Sequence, residues 1–139
     1  MKAINAAKAC ILAITLLSSF GLLQDKAKAE LGLEVYKTYY CGLCHQDTAA
    51  GTEGIFGPPH DGVAVIAQAR ILDPNYSGSA KTAEAYLKES MLEPELYVVP
   101  GYELARHRMP AYKHMSAEEL DALVYFLLHQ KEVIPETSD

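Results

Sequence analysis

Apolar positions near the end of the chain fall on one helical stripe. Leu120, Leu123, Val124, Leu127 and Leu128 stand at i, i+3, i+4, i+7 and i+8. Ser116-Ala117-Glu118-Glu119 precedes them and fits a capping box, with serine at the N-cap and glutamate at N3. The pattern predicts a terminal helix. His129 and Lys131 fall in its last turn, where positive charge suits the helix dipole, and Pro135 follows. A second helix is predicted from Thr82 to Leu92: Thr82 can cap it, Leu87 and Met91 share a face, and Pro94 ends it. Val63 to Ile71 reads as a shorter helix stopped by Asp73-Pro74. Gly32 to Tyr40 reads as a short helix with Gly32, Tyr36 and Tyr40 on one face. Asp47 to Gly62, rich in Gly, Pro and Thr, reads as loop, as does Tyr97 to His107. No segment alternates with period two, so the pattern predicts an all-α domain of three to five helices.

The apolar run from Ala9 to Leu23 stands apart from that domain. Lys2 and Lys8 precede it, and Ala27-Lys28-Ala29 behind it has the small-x-small form of a cleavage site. Residues 1–29 therefore read as a secretory signal peptide and residues 30–139 as the domain. The alternative is a retained anchor, but the run has 15 residues, short of the about 20 that span a bilayer. Cys10 stands at the start of the run, whereas a lipoprotein cysteine would stand at its end.

Charge narrows the partners. Residues 30–139 hold eight lysines and arginines against 17 acidic residues, a formal charge of −9. Such a surface does not attract nucleic acid or anionic lipid. A domain this small is also a marginal burier of apolar surface, so a large rigid apolar cofactor at its centre would help. All nine tyrosines lie in this segment and read mostly as core residues with wet hydroxyls.

The chemistry is carried by Cys41-Gly42-Leu43-Cys44-His45. Cys-x-x-Cys-His reads as a site of covalent haem attachment. Two intervening residues let both thiols add across the two vinyl groups of one haem. The next residue, His45, then projects toward the iron as proximal ligand. Attachment of this kind is made outside the cytoplasm, in agreement with the leader. A zinc site would call for four ligands and usually a second cysteine pair, which the chain lacks. A thioredoxin-type dithiol would sit at a βαβ turn.

The iron then needs a sixth ligand or an open position. The candidates are Met91, Met109, Met115, His60, His107, His114 and His129. Met109-Pro110 fits best. It lies in irregular chain before the terminal helix, its thioether is a soft ligand, and the proline stiffens the loop that presents it. His107 and His60 come next. His and Met ligation raises the reduction potential relative to two histidines, and a filled sixth position favours electron transfer over catalysis.

These residues together resemble class I monohaem cytochromes c over essentially all of residues 30–130. Gly32 and Tyr36 resemble the glycine and aromatic pair of that family's first helix, which crosses the last helix, here offering Tyr125 and Phe126. Gly57-Pro58 resembles the family's Gly-Pro, whose proline carbonyl accepts a hydrogen bond from the proximal histidine. Met109-Pro110-Ala111-Tyr112 and the helix after it resemble the family's Met-Pro-x-aromatic and terminal helix. The resemblance implies a small cytochrome c fold wrapped around one covalent haem c, held by Cys41 and Cys44 and ligated by His45 and Met109. Arg70 is a candidate partner for a haem propionate, since guanidinium forks suit carboxylates.

Ala69-Arg70-Ile71, Asp73-Pro74-Asn75-Tyr76, Tyr86-Leu87-Lys88-Glu89-Ser90 and Pro100-Gly101-Tyr102 carry a finer likeness. They resemble monohaem cytochromes attached to respiratory complexes, including domains of some haem-copper oxidases and the small cytochrome subunits of alternative complex III. The implied function is single-electron transfer on the periplasmic or other extracytoplasmic face of the membrane, without catalysis or a small-molecule substrate. The protein would exchange electrons with protein partners. It would serve as a subunit docked on a respiratory or photosynthetic complex, or as a soluble carrier. The competing class is a gas-binding protein or redox enzyme with an open sixth site.

Overall fold

The computed structural model describes residues 21–130. Four α-helices and one short hairpin appear among them. Helix α1 occupies residues 21–38. It is followed by a 3-10 turn at Cys41–Leu43, strands β1 (His45–Asp47) and β2 (Thr52–Ile55), helices α2 (Val63–Ile71) and α3 (Ala83–Leu92), a second 3-10 turn at Pro94–Leu96, and helix α4 (Ala117–Leu128). The expected all-α architecture holds, with the hairpin as its one addition.

Helix α4 forms as its pattern predicts. The Ser116 hydroxyl accepts from the Glu119 backbone N–H at 3.2 Å, and the Glu119 carboxylate accepts from the Ser116 N–H at 2.8 Å. Leu123, Val124 and Leu127 are buried, while Leu120 and Leu128 are half-buried at the margins of the stripe. Lys131 lies outside the described residues. Helix α3 starts on Thr82, whose hydroxyl accepts from the Ala85 N–H at 3.1 Å, and buries Leu87 and Met91. Lys88 ties it to α4 through Asp121 at 2.7 Å.

Helix α1 differs from expectation at both ends. The segment before Gly32 (Gln24 to Leu31) is built of helix-favouring residues and continues the same helix. Ala29 is buried, and Lys28 Nζ lies 5.2 Å from the Tyr125 ring centroid. Residues 1–20 of the expected leader lie outside the described residues. At its other end the helix stops before Tyr40, which takes a left-handed conformation (φ 56°) and stands exposed. Tyr40 therefore leaves the face shared by Gly32 and Tyr36.

Helices α1 and α4 cross at Gly32. A Cβ there would fall 2.6 Å from the Phe126 Cβ and onto the Ala122 carbonyl. Absence of a side chain is what lets the helices close, and Tyr36 and Phe126, both fully buried, meet edge to face at 5.7 Å just beyond. The last helix thus offers Ala122 and Phe126 to the crossing. Tyr125, grouped with Phe126 on sequence grounds, instead stacks on His129 at 4.1 Å.

The hairpin corrects the reading of Asp47 to Gly62 as loop throughout. Strands β1 and β2 pair antiparallel, His45 opposite Ile55 and Asp47 opposite Thr52, with an irregularity between His45 and Gln46. Two strands of three and four residues are too short to show alternation. Asp47 is fully buried at the hairpin's end and accepts from Ala50 N and Gln130 Nε2. Among the described residues no helix is long and apolar enough to cross a membrane.

Candidate functional site

The hairpin, helices α2 to α4 and the irregular chain from Val98 to Tyr112 enclose a cleft. Cys41, Cys44, His45, Pro58, Arg70 and Met109 all line it. Six residues singled out across 69 positions of sequence therefore meet in one cavity.

The 3-10 turn over Cys41–Leu43 places the two thiols. Tyr40 in its left-handed conformation redirects the chain from α1 into the turn, and the Cys44 N–H donates to the Cys41 carbonyl at 3.2 Å. Both thiols are free and half-buried. Burial, with the neighbouring Cys44 adding to it, pushes the Cys41 thiol up to about 11. A dithiol redox centre needs the opposite, a thiol held low.

His45 opens β1, and its ring is held from several directions. Nδ1 lies 2.7 Å from the Pro58 carbonyl oxygen. A carbonyl only accepts, so Nδ1 carries the proton and donates, leaving the Nε2 lone pair for a metal. Gly57 lies close against the ring: a Cβ there would fall 2.5 Å from Cε1. The His45 carbonyl accepts from the Thr52 hydroxyl at 3.0 Å and from the Tyr36 hydroxyl at 3.4 Å. Burial lowers the His45 pKa, and the Arg70 charge adds to that. The imidazole is thereby kept neutral, the state in which it binds metal.

The candidate sixth ligands separate by position. Met109, Met91, His107 and His60 line the cleft; Met115, His114 and His129 do not. Met115 is buried in the main core. His114 sits among Tyr39 and Tyr112, and His129 bonds back to the Tyr125 carbonyl. Met91 is buried within α3. His60 stacks on His45 itself, ring centroids 4.0 Å apart. Met109 is half-buried in irregular chain, steadied by the Tyr112 N–H donating to the Met91 carbonyl at 2.8 Å. His107, exposed, rests its ring edge on Phe56 at 5.1 Å.

Arg70, in the last turn of α2, is half-buried and faces the cleft with no carboxylate bound to it among the described residues. The roles of Thr52 and of the His60 stack have no local signal in the sequence. Both depend on the hairpin, which the pattern does not announce.

The residues present suit a haem. A Cys-x-x-Cys-His turn with free thiols, an imidazole whose tautomer leaves Nε2 bare, a soft thioether and a guanidinium with no carboxylate partner among the described residues line one mostly apolar cleft. A small helical fold built around such a cleft is that of a c-type haem protein. The cytochrome c family model matches residues 29–131, and the chain belongs to the cytochrome c family. No curated protein and no solved structure matches it. Membership carries with it covalently bound haem c and haem-based electron transfer.

Proposed function

We propose that this protein is a class I monohaem cytochrome that passes single electrons between protein partners outside the cytoplasmic membrane. In this reading Cys41 and Cys44 anchor one haem through thioether bonds, and His45 and Met109 hold its iron. The observation that carries the reading is the 2.7 Å bond from His45 Nδ1 to the Pro58 carbonyl. It fixes the tautomer, strengthens the imidazole as a donor and leaves its other nitrogen without a proton.

The haem supplies a reversible one-electron couple, and the chain's own residues set the conditions for it. His45 and Met109 would hold the iron, and with both in place the metal would be denied to oxygen and to substrate. Arg70, on the cleft wall, would offset the negative charge of a haem propionate. No proton or covalent bond changes hands.

A docked subunit is favoured over a diffusing carrier. Tyr40, Leu43, Ile55 and Phe56 expose apolar surface beside the cysteine turn, and Val65 on α2 and Leu72 just after it do so at 78% and 77%. Apolar patches of this kind suit lasting contact with a membrane electron-transport complex, for which alternative complex III is the example the sequence resembles. In this reading the N-terminal segment would act as a leader that exports the protein to that side of the membrane.

The test is the far-red sulfur-to-iron charge-transfer band of the oxidised protein. We expect the band in the wild type and its loss in Met109→Ala, together with gain of carbon monoxide binding. A wild type without the band rules out methionine ligation. Docking is tested separately, by whether the protein stays with membranes washed at high salt, where apolar contacts hold and charge steering is screened.

A further inference from the structure

His60 is absorbed by none of these roles. Its backbone is pinned: the N–H donates to the Gln46 carbonyl at 2.8 Å, and its carbonyl accepts from Val63 N–H at 2.9 Å. Its ring lies 15° from parallel to the His45 ring, with centroids 4.0 Å apart. Tyr36 meets the His60 ring edge-on at 5.7 Å, and Phe126 in turn supports Tyr36 at the α1–α4 crossing. A continuous series of rings thus runs from the helix crossing to the proximal ligand.

His60 Nδ1 is buried and has no hydrogen-bond partner among the described residues. A buried nitrogen without a partner costs free energy, which a leucine or phenylalanine in the same space would avoid. Space filling alone therefore does not account for an imidazole here. What the ring offers His45 is a flat face at stacking distance. A hydrogen bond to a carbonyl tolerates a broad range of approach, so the Pro58 bond by itself leaves the tilt of His45 loosely set. A flat ring against its face sets that tilt.

We infer that His60 is a positioning residue for the proximal ligand, fixing the plane of the His45 imidazole about its bond to the iron through the stacked pair. The inference rests on His45 being the axial ligand. It assigns His60 to the proximal side of the iron, where it constrains a ligand without being one.

The ferric haem-loaded protein provides the test. The axial imidazole plane decides how unpaired spin spreads over the porphyrin, and the proton NMR shifts of the four haem ring methyls report it. His60→Phe keeps a flat ring and removes the nitrogens; His60→Leu keeps bulk and removes the flat face. We expect the methyl pattern of the wild type to persist in His60→Phe and to change in its order or spread in His60→Leu, with the far-red band retained in both. Identical patterns in all three proteins overturn the inference. Equal change in both variants also overturns it, since the effect would then belong to the imidazole's polarity. A wild type lacking covalent haem, read by haem staining on a denaturing gel, overturns the functional reading itself and takes this inference with it.

Discussion

Gly32 on α1 packs directly against Ala122 on α4, with no room for a side chain between them. The contact joins the segment before the cysteine turn to the terminal helix, and Tyr36, one turn further on, carries it to the His45 carbonyl. Helix packing and the placing of His45 are therefore parts of one construction.

Gly32→Ala is expected to destabilise the haem-loaded protein by about 1–3 kcal/mol, the usual cost of overpacking a tight contact. For a domain of this size each kcal/mol is about 4–8 °C of melting temperature. Thermal or denaturant unfolding followed by the haem absorption reads it directly. An unchanged midpoint would mean that the helices part at little cost.

Replacing both Cys41 and Cys44 by alanine is expected to abolish haem retention on a denaturing gel, and each single replacement to weaken it. Full retention in the double variant would remove these residues as anchors.

Gly57→Ala is expected to push the His45 ring out of place, because the added carbon would fall 2.5 Å from Cε1 and 2.8 Å from Nδ1. The expected outcome is a shifted ligand-field spectrum in the ferric protein and reduced haem loading, with the helical circular dichroism kept. A spectrum identical to the wild type would show that the ring has slack.

Glu119 predicts an acid limit to stability. The Ser116 N–H and hydroxyl, and then the Tyr39 hydroxyl at 3.1 Å, hold its carboxyl below the ordinary glutamate range. A folded pKa lower than the unfolded one means the ionised carboxylate stabilises the fold above the unfolded value, about 4.3. That contribution is lost as pH falls through the folded value. Unfolding midpoints measured from neutral pH downward should fall less steeply in Glu119→Gln than in the wild type. Parallel curves would refute the assignment.

Much of the fold and the site can be read without coordinates, because the signals are local. The capping box at Ser116 and Glu119, the Thr82 cap, the Leu87 and Met91 pair and the five-residue stripe of α4 all act within one or two turns of chain. Cys-x-x-Cys-His is local for the same reason, since both thiols and the imidazole must reach one group.

Tertiary structure alone decides the rest. His45 to Asp47 forms a strand because Thr52 to Ile55 is there to pair with it; three residues carry no period of their own. Tyr125 and Phe126 are adjacent aromatics, and only the angle of the crossing sends Phe126 to Tyr36 and Tyr125 to His129 and Lys28. By sequence His60 and Met109 both stand as candidate ligands, with Met109 the better fit. What separates them is that the turn after β2 folds His60 back onto His45, while the chain before α4 brings Met109 to the same cleft as a separate element. Sequence spacing determines chemistry within a single turn of backbone; which face of the iron a distant side chain can reach is settled by packing.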